Sequence, residues 1–118
     1  MKEIDERINI ITEASLDKKA FNIKILDIKE LTTVADYFVI VSGNSTIQTT
    51  TIADEIEEKM LEKGYELLSK EGYQSARWIL LDFGDIIVHV FHREDREFYN
   101  LEKLWADSKE LKIDNLNN

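Results

Sequence analysis

Three short motifs in this sequence carry side chains that could do chemistry, and the first is Asp82-Phe83-Gly84. It matches the magnesium-binding triplet of protein kinases, which also require a glycine-rich phosphate loop, a strand lysine and a catalytic-loop aspartate. The sequence has none of these three companions. Because an isolated triplet is a weak signal, we interpret these residues as a hairpin turn between two strands.

The second motif is the histidine pair, His89 and His92, which lies in a run typical of a strand. Side chains three positions apart on a strand point to opposite faces, so the two imidazoles cannot converge on one metal ion. Since the chain also has no cysteine, we predict no metal site and no cofactor. We expect His89, on the same face as Ile87 and Phe91, to be half-buried and hydrogen-bonded, and His92 to be exposed.

The third motif is the turn Ser42-Gly43-Asn44-Ser45, which precedes a predicted helix whose free N–H groups could bind phosphate. The turn lacks the glycines of a dinucleotide fingerprint and the lysine of a P-loop. Nucleotidyltransferases have a Gly-Ser turn at such a position, but they follow it with paired metal-binding aspartates on a strand. Here Asp54, Glu55, Glu57 and Glu58 lie instead around the solvent side of the helix. We therefore predict no two-metal centre and no enzymatic activity.

The elements that position these motifs follow from hydrophobic periodicity. Ser45 and Gln48 have capping-box spacing at the start of the central helix, which Lys63-Gly64 ends. A cap is expected at Asn100, and the tail from Asn115 to Asn118 is expected to fray. The predicted helices cover residues 3–16, 45–64 and 100–108, and the predicted strands cover residues 21–28, 37–41, 77–82 and 86–92.

These elements predict a single α/β domain over residues 1–118, with a mixed β-sheet flanked by helices. Short connections make each sequential pair of strands antiparallel. The long helical crossover from Val41 to Arg77 permits the two inner strands to be parallel, with a right-handed connection. The continuous apolar run from Tyr37 to Val41 predicts a strand buried on both faces.

Charge and composition restrict the partner. The 118 residues include 15 Lys+Arg and 24 Asp+Glu, a formal net charge of −9, and the basic residues do not cluster. Such a surface repels phosphate, so we expect little direct nucleic-acid binding and, near RNA, contact with a basic protein patch. No apolar run approaches the roughly 20 residues of a membrane span, and the N-terminus does not resemble a signal peptide. We expect a cytoplasmic protein that does not bind membranes.

The segment from Glu94 to Trp105 combines charged and aromatic residues. Phe98, Leu101, Leu104 and Trp105 are not all easily covered under a short terminal helix, and aromatic residues are favoured at binding hot spots. The alternative is that Leu101 and Trp105 attach the last helix to the sheet. Spacing alone favours neither interpretation, because tryptophan serves both roles.

Two long stretches resemble a known family: ADYFVIVSGNSTIQTTTIADEI, residues 35–56, and EGYQSARWILLDFGDIIVHVFHREDREFYNLEKLWADS, residues 71–108. They resemble the RsfS/Iojap ribosomal silencing factors, whose pattern includes an ADYFVI strand, an SG-S turn, a W-LLD-GD hairpin, a VHVF strand and a Y-LE-LW ending. The upstream KKAFNIKILDIKELTTVADYF continues the similarity, which covers residues 18–108. Many members have a proline shortly before the EG pair, where this chain has Leu68-Ser69-Lys70.

The resemblance implies a nucleotidyltransferase-like fold that lacks the catalytic carboxylates. It also implies that the chain binds a basic ribosomal protein on the intersubunit face of the large ribosomal subunit. There it would block joining of the small subunit and repress translation when nutrients are scarce. The alternatives are a large-subunit assembly factor, a residual nucleotidyltransferase-like enzyme, and an adaptor or homodimer module that uses the Trp105 region.

On this basis we predict a set of partner-binding residues near the end of the chain. Glu102 is expected to pair with a basic side chain of the partner, and Tyr99 and Trp105 to supply apolar contact area. As an exposed residue, Glu102 should also tolerate replacement by lysine without loss of stability. The predicted residues are Trp78, Tyr99, Asn100, Leu101, Glu102 and Trp105, with Asp85 and His89 as second-rank candidates.

Overall fold

The structure, a computed structural model, describes residues 5–111. The helices are α1 (Glu6–Asp17), α2 (Thr46–Glu62), α3 (Arg93–Tyr99) and α4 (Leu101–Leu104). The strands are β1 (Phe21–Asp27), β2 (Tyr37–Gly43), β3 (Ser69–Glu71), β4 (Trp78–Asp82), β5 (Ile86–His92) and β6 (Lys109–Leu111). The predicted tail from Asn115 to Asn118 lies outside the described residues.

The six strands form one sheet in the order β3-β4-β5-β2-β1-β6. At its centre β2 and β5 run parallel, in register from Tyr37 opposite Ile86 to Gly43 opposite His92. The other four strand pairs are antiparallel. The prediction of a mixed α/β sheet with antiparallel sequential pairs and a parallel inner pair is therefore confirmed.

The two faces of the sheet are covered by different amounts of chain. On one face, α1 and α2 pack over alternate residues of the central strands, such as Val39 and Val88. On the other face, a second apolar cluster contains Phe38 and Phe91, against which only short segments pack. Since β2 contributes to both clusters, the predicted burial of its two faces is confirmed.

The central helix begins and ends close to where the sequence predicts. The Ser45 hydroxyl oxygen accepts the Gln48 backbone N–H at 3.0 Å, as in a capping box. The Gln48 side chain does not complete the box, because its Oε1 accepts the N–H of Asn44 rather than that of Ser45. At the other end, Gly64 has a φ of +89°, the left-handed conformation that ends a helix.

The C-terminal segment differs from its prediction as a single helix over residues 100–108. The structure has α3, which the periodicity missed, then a left-handed Asn100 at φ +49° and ψ +59°, and then the short α4. The chain leaves the helix after Leu104 and forms β6 on the edge of the sheet. The prediction of a cap at Asn100 holds for the position, although no side-chain hydrogen bond of Asn100 caps α4.

Candidate functional site

An aromatic cluster lies on the sheet face opposite α1 and α2. Trp78 stacks on Phe91 with ring centroids 4.8 Å apart, and Tyr99 lies 4.9 Å from Trp78. Trp105 meets Phe38 edge-on at 5.2 Å. The members of the aromatic cluster are Phe38, Trp78, His89, Phe91, Tyr99 and Trp105.

Strand register brings most of this cluster together. Trp78 on β4 lies directly opposite Phe91 on β5, and His89 is two residues before Phe91 and therefore on the same face. Phe38, on the neighbouring strand β2, places its ring 4.6 Å from the imidazole of His89. The sheet thus fixes four of the six rings before the C-terminal segment adds the other two.

His89 is more deeply buried than predicted, with 4% of its surface exposed. Its Nδ1 accepts the indole N–H of Trp78 at 3.1 Å, which confirms the predicted hydrogen bond. Its Nε2 is buried and has no hydrogen-bond partner among the described residues. Burial lowers the pKa of His89 to about 4, so the imidazole is neutral at physiological pH.

The C-terminal segment both attaches to the sheet and exposes apolar side chains. Leu101 and Trp105 are partly buried against the second cluster. Phe98 and Leu104 are 80% and 76% exposed, and Tyr99 is also exposed. Leu101 and Trp105 therefore attach this segment to the sheet, as the second interpretation predicted, while a role of the exposed side chains in binding stays a prediction.

Glu102 is not the free exposed carboxylate that we expected. Its Oε2 accepts hydrogen bonds from Nε and Nη2 of Arg96, at 3.2 and 2.9 Å, and Arg96 is only 7% exposed. Replacement by lysine would place a second cation beside this buried guanidinium. The premise that Glu102 is a freely exposed charge is therefore wrong, and the geometry favours a loss of stability on replacement by lysine. Nothing in the sequence pattern had marked Arg96 as a structural residue.

Seven of the eight predicted site residues lie in or next to the aromatic cluster, and Asp85 lies apart from them. Trp78, His89, Tyr99, Leu101 and Trp105 meet in or against the aromatic cluster, and Asn100 and Glu102 lie in the same segment of chain.

Asp85 is separate, because it precedes β5 whereas α3 follows the other end of that strand. The Asp85 carbonyl oxygen accepts the N–H groups of Asp36 and Tyr37, at 2.7 and 3.1 Å. Its carboxylate lies 3.7 Å from the guanidinium of Arg7. The structure thus gives Asp85 contacts with the start of β2 and with α1, and does not bring it to the aromatic cluster.

The prediction that His92 is exposed is wrong, since only 8% of its surface is accessible. Its Nδ1 accepts the backbone N–H of Glu94 at 3.2 Å and so caps α3. The chain turns into a helix directly after the strand and covers the imidazole. A histidine two residues before a glutamate is too common a pattern to have predicted this cap.

The acidic residues of α2 take part in surface interactions rather than a metal site. Asp54 accepts the hydroxyl of Tyr73 at 2.9 Å, and Glu57 pairs with Lys70 at 2.8 Å. Across residues 5–111, no group of three or more histidine, cysteine, aspartate or glutamate side chains is placed to hold a metal ion. Over the same range, no helix is long and apolar enough to cross a membrane.

The family model and the curated relatives that match this chain give one family. The family model described as ribosomal silencing factor during starvation matches residues 1–118. The chain is 42% identical over 109 residues to the ribosomal silencing factor RsfS of Halalkalibacterium halodurans, covering 92% of this chain and 93% of that protein. It is 45% identical over 107 residues to RsfS of Bacillus subtilis, covering 91% of each. A crystal structure from Chromobacterium violaceum superposes with a TM-score of 0.85 at 30% identity, covering 98% of this chain and 96% of that one. The chain therefore belongs to the RsfS/Iojap family of ribosomal silencing factors, which are not enzymes.

Proposed function

We propose that this protein binds the large ribosomal subunit through its C-terminal aromatic segment and blocks joining of the small subunit, thereby repressing translation in the cytoplasm. The observation that carries the proposal is the exposed apolar group of Phe98, Tyr99 and Leu104, which lies beside the aromatic cluster in a member of a ribosomal silencing family. A monomeric domain rarely leaves adjacent large apolar side chains in water without a binding role. We call the docking surface the set of Phe98, Tyr99, Asn100 and Leu104, which lie together along one groove.

The docking surface has a firm support beneath it. Trp78, His89, Leu101 and Trp105 pack behind the exposed residues and fix the segment on the sheet. Such support reduces the conformational entropy that binding would otherwise cost. These predicted partner-binding residues would therefore act mainly by shaping the surface, while Phe98 and Leu104 would supply most of the newly buried area.

Charge favours a basic protein as the contacted partner. The chain carries a net charge of −9, and the exposed acid Glu97 lines the groove of the docking surface together with Lys103, while Glu94 pairs with Arg77. Opposite charge on the partner would accelerate association, while burial of apolar side chains would slow dissociation. A basic ribosomal protein on the intersubunit face meets both requirements, whereas exposed RNA would repel this surface.

The test is co-sedimentation with separated ribosomal subunits, followed by a subunit-joining assay. We expect the parent protein to pellet with large subunits and not with small ones. Phe98→Ala and Leu104→Ala should each weaken binding about thirtyfold, the effect of losing roughly 2 kcal/mol at a hot spot. Leu61→Ala, which removes another exposed leucine on α2, is the matched control and should bind like the parent. Equal pelleting with both subunits, or equal losses in the control, would contradict the proposal.

We further propose that the fold is a nucleotidyltransferase-like scaffold without catalytic carboxylates, acting as one domain. In support, a Gly-Asn-Ser turn precedes α2, while the acids that follow lie on the helix rather than on a strand. A nucleotide with magnesium should therefore give no binding heat in calorimetry. Measurable binding would favour the enzymatic alternative.

A further inference from the structure

One buried guanidinium connects three separate elements of the fold. Arg96 on α3 donates through Nη1 to the carbonyl oxygen of Asn22 in β1 and to the hydroxyl oxygen of Ser42 in β2, the latter at 2.9 Å. Through Nε and Nη2 it donates to Glu102 in α4. A planar, permanently charged guanidinium suits such a junction, because its donors point in fixed directions.

The sheet end of this junction is fixed by a bulge. Phe21 pairs with Ser42 but Lys24 pairs with Ile40, so β1 contains one residue more than β2 across this interval. Asn22 lies inside the interval with a φ of +51°. The extra residue of a bulge lies outside the regular hydrogen-bond ladder between the strands. The Arg96 side chain therefore supplies a hydrogen-bond donor for the carbonyl oxygen of Asn22.

The other end of the junction is an element that cannot hold itself in place. The helix α4 has four residues and no side-chain cap, and a helix this short is not stable alone. Glu102 is its second residue, between Leu101, which packs on the sheet, and Leu104, which is exposed. Trp105 follows directly and meets Phe38. The carboxylate that Arg96 holds is thus central to the segment that forms the docking surface.

We infer that Arg96 is a positioning residue for ribosome binding: anchored on Asn22 and Ser42, it holds Glu102 and thereby orients α4. This role rests on the proposed function. It also assigns the Glu102 carboxylate to the protein's own arginine rather than to a basic side chain of the partner. Basic side chains of the partner would then form ion pairs with other acidic side chains of the segment.

A double-mutant cycle separates these two roles of Glu102. The variants are Arg96→Met, Glu102→Gln and the two combined, with Arg93→Met as a control that removes an exposed arginine from the same helix. If Arg96 acts through Glu102, each single change should weaken large-subunit binding about tenfold and the combination should also cost about tenfold, because the two changes remove the same interaction. Arg96→Lys should recover part of the loss, and Arg93→Met should bind like the parent.

A second measurement reads the free protein. In a nitrogen-15 correlation spectrum, the Trp105 indole peak should shift in Arg96→Met and Glu102→Gln and remain in place in Arg93→Met. Thermal unfolding shows whether each variant is folded, and if Arg96→Met is not, Arg96→Gln takes its place in the cycle.

Additive binding losses, about a hundredfold in the combination, would overturn the inference in favour of direct contact between Glu102 and the partner. An unmoved Trp105 peak in both single variants would overturn it as well. If the parent itself fails to bind large subunits, the proposed function fails. Coupled shifts of the Trp105 peak would still support the positioning role of Arg96.

Discussion

Glu102→Lys is expected to destabilise the fold, because of what the substitution does to Arg96. The lysine removes the carboxylate that pairs with a guanidinium of 7% exposure and places an ammonium group beside it. Removing one partner of a buried ion pair costs about 3 to 5 kcal/mol. Glu102 itself is 29% exposed, so water screens part of this loss, and the lysine stem can turn outward. We therefore expect a loss of about 2 to 3 kcal/mol in the free energy of unfolding.

The assay is urea and thermal unfolding followed by circular dichroism. A loss of this size should lower the midpoint temperature by roughly 10 °C in a domain of this length. Glu97→Lys makes the same charge change at an exposed position of α3 and should stay within about 0.5 kcal/mol of the parent. Glu102→Gln should lie between the two, because it removes the negative charge that pairs with Arg96 but adds no second cation. A Glu102→Lys protein as stable as the Glu97→Lys control would refute the view that this pair supports the fold.

Three further predictions concern pH, backbone conformation and metal. The pKa of His89 is about 4 in the folded protein against 6.5 ordinarily, so the unfolded chain binds this proton more tightly. The neutral His89 therefore contributes fully to the free energy of unfolding above about pH 6.5, and this contribution falls by about 3 kcal/mol as the pH drops toward 4. When the free energy of unfolding is measured by urea titration at several pH values, His89→Gln should lack this decrease. Asn100→Gly should leave the midpoint temperature nearly unchanged while Asn100→Val lowers stability by about 1 to 2 kcal/mol, since the left-handed backbone suits glycine; equal effects would contradict this. A chelator should shift the midpoint temperature by less than about 1 °C, and a clear drop would reveal a metal that stabilises the fold.

The centre of the sheet could be predicted because its sequence signals are strong and local. The continuous apolar run of β2 fits only a strand covered on both sides, and the crossover through α2 permits a parallel neighbour. The edge strands β3 and β6 could not be predicted. Each shows three residues within the part of the chain that the structure describes, too few for an alternation to predict a strand, and each pairs with the outer side of its neighbour.

The C-terminal segment shows the limit of periodicity. Leu101, Leu104 and Trp105 have helical spacing, but a left-handed Asn100 separates α3 from α4, and α4 ends at Leu104 rather than at residue 108. Only the sheet beneath it decides which of these side chains are covered. Composition and resemblance pointed to Trp78, Tyr99 and Trp105, whereas Phe38 and Phe91 of the cluster, and the division into buried and exposed side chains, could not be predicted.

The Arg96 junction could not be predicted for a different reason. Arg96 and Glu102 are six residues apart, a spacing that no regular helix turns into a contact, and Asn22 and Ser42 are distant in sequence. Each residue taken alone has the ordinary appearance of a charged or polar surface position. These residues come into contact because β1 has a bulge around Asn22, Ser42 lies near the end of β2, and the helix is interrupted at Asn100.

The charged side chains on the two edge strands affect how the free protein behaves when it is concentrated. An open sheet edge can add strands from other molecules and so begin aggregation, and natural proteins limit this with short strands and charged side chains. Here β3 has three residues and carries Lys70 and Glu71, and the part of β6 that lies within residues 5–111 carries Lys109 and Glu110. If Phe98, Tyr99 and Leu104 are kept exposed for a partner, as we propose, these charges would protect the free protein from polymerising along its backbone until that partner binds.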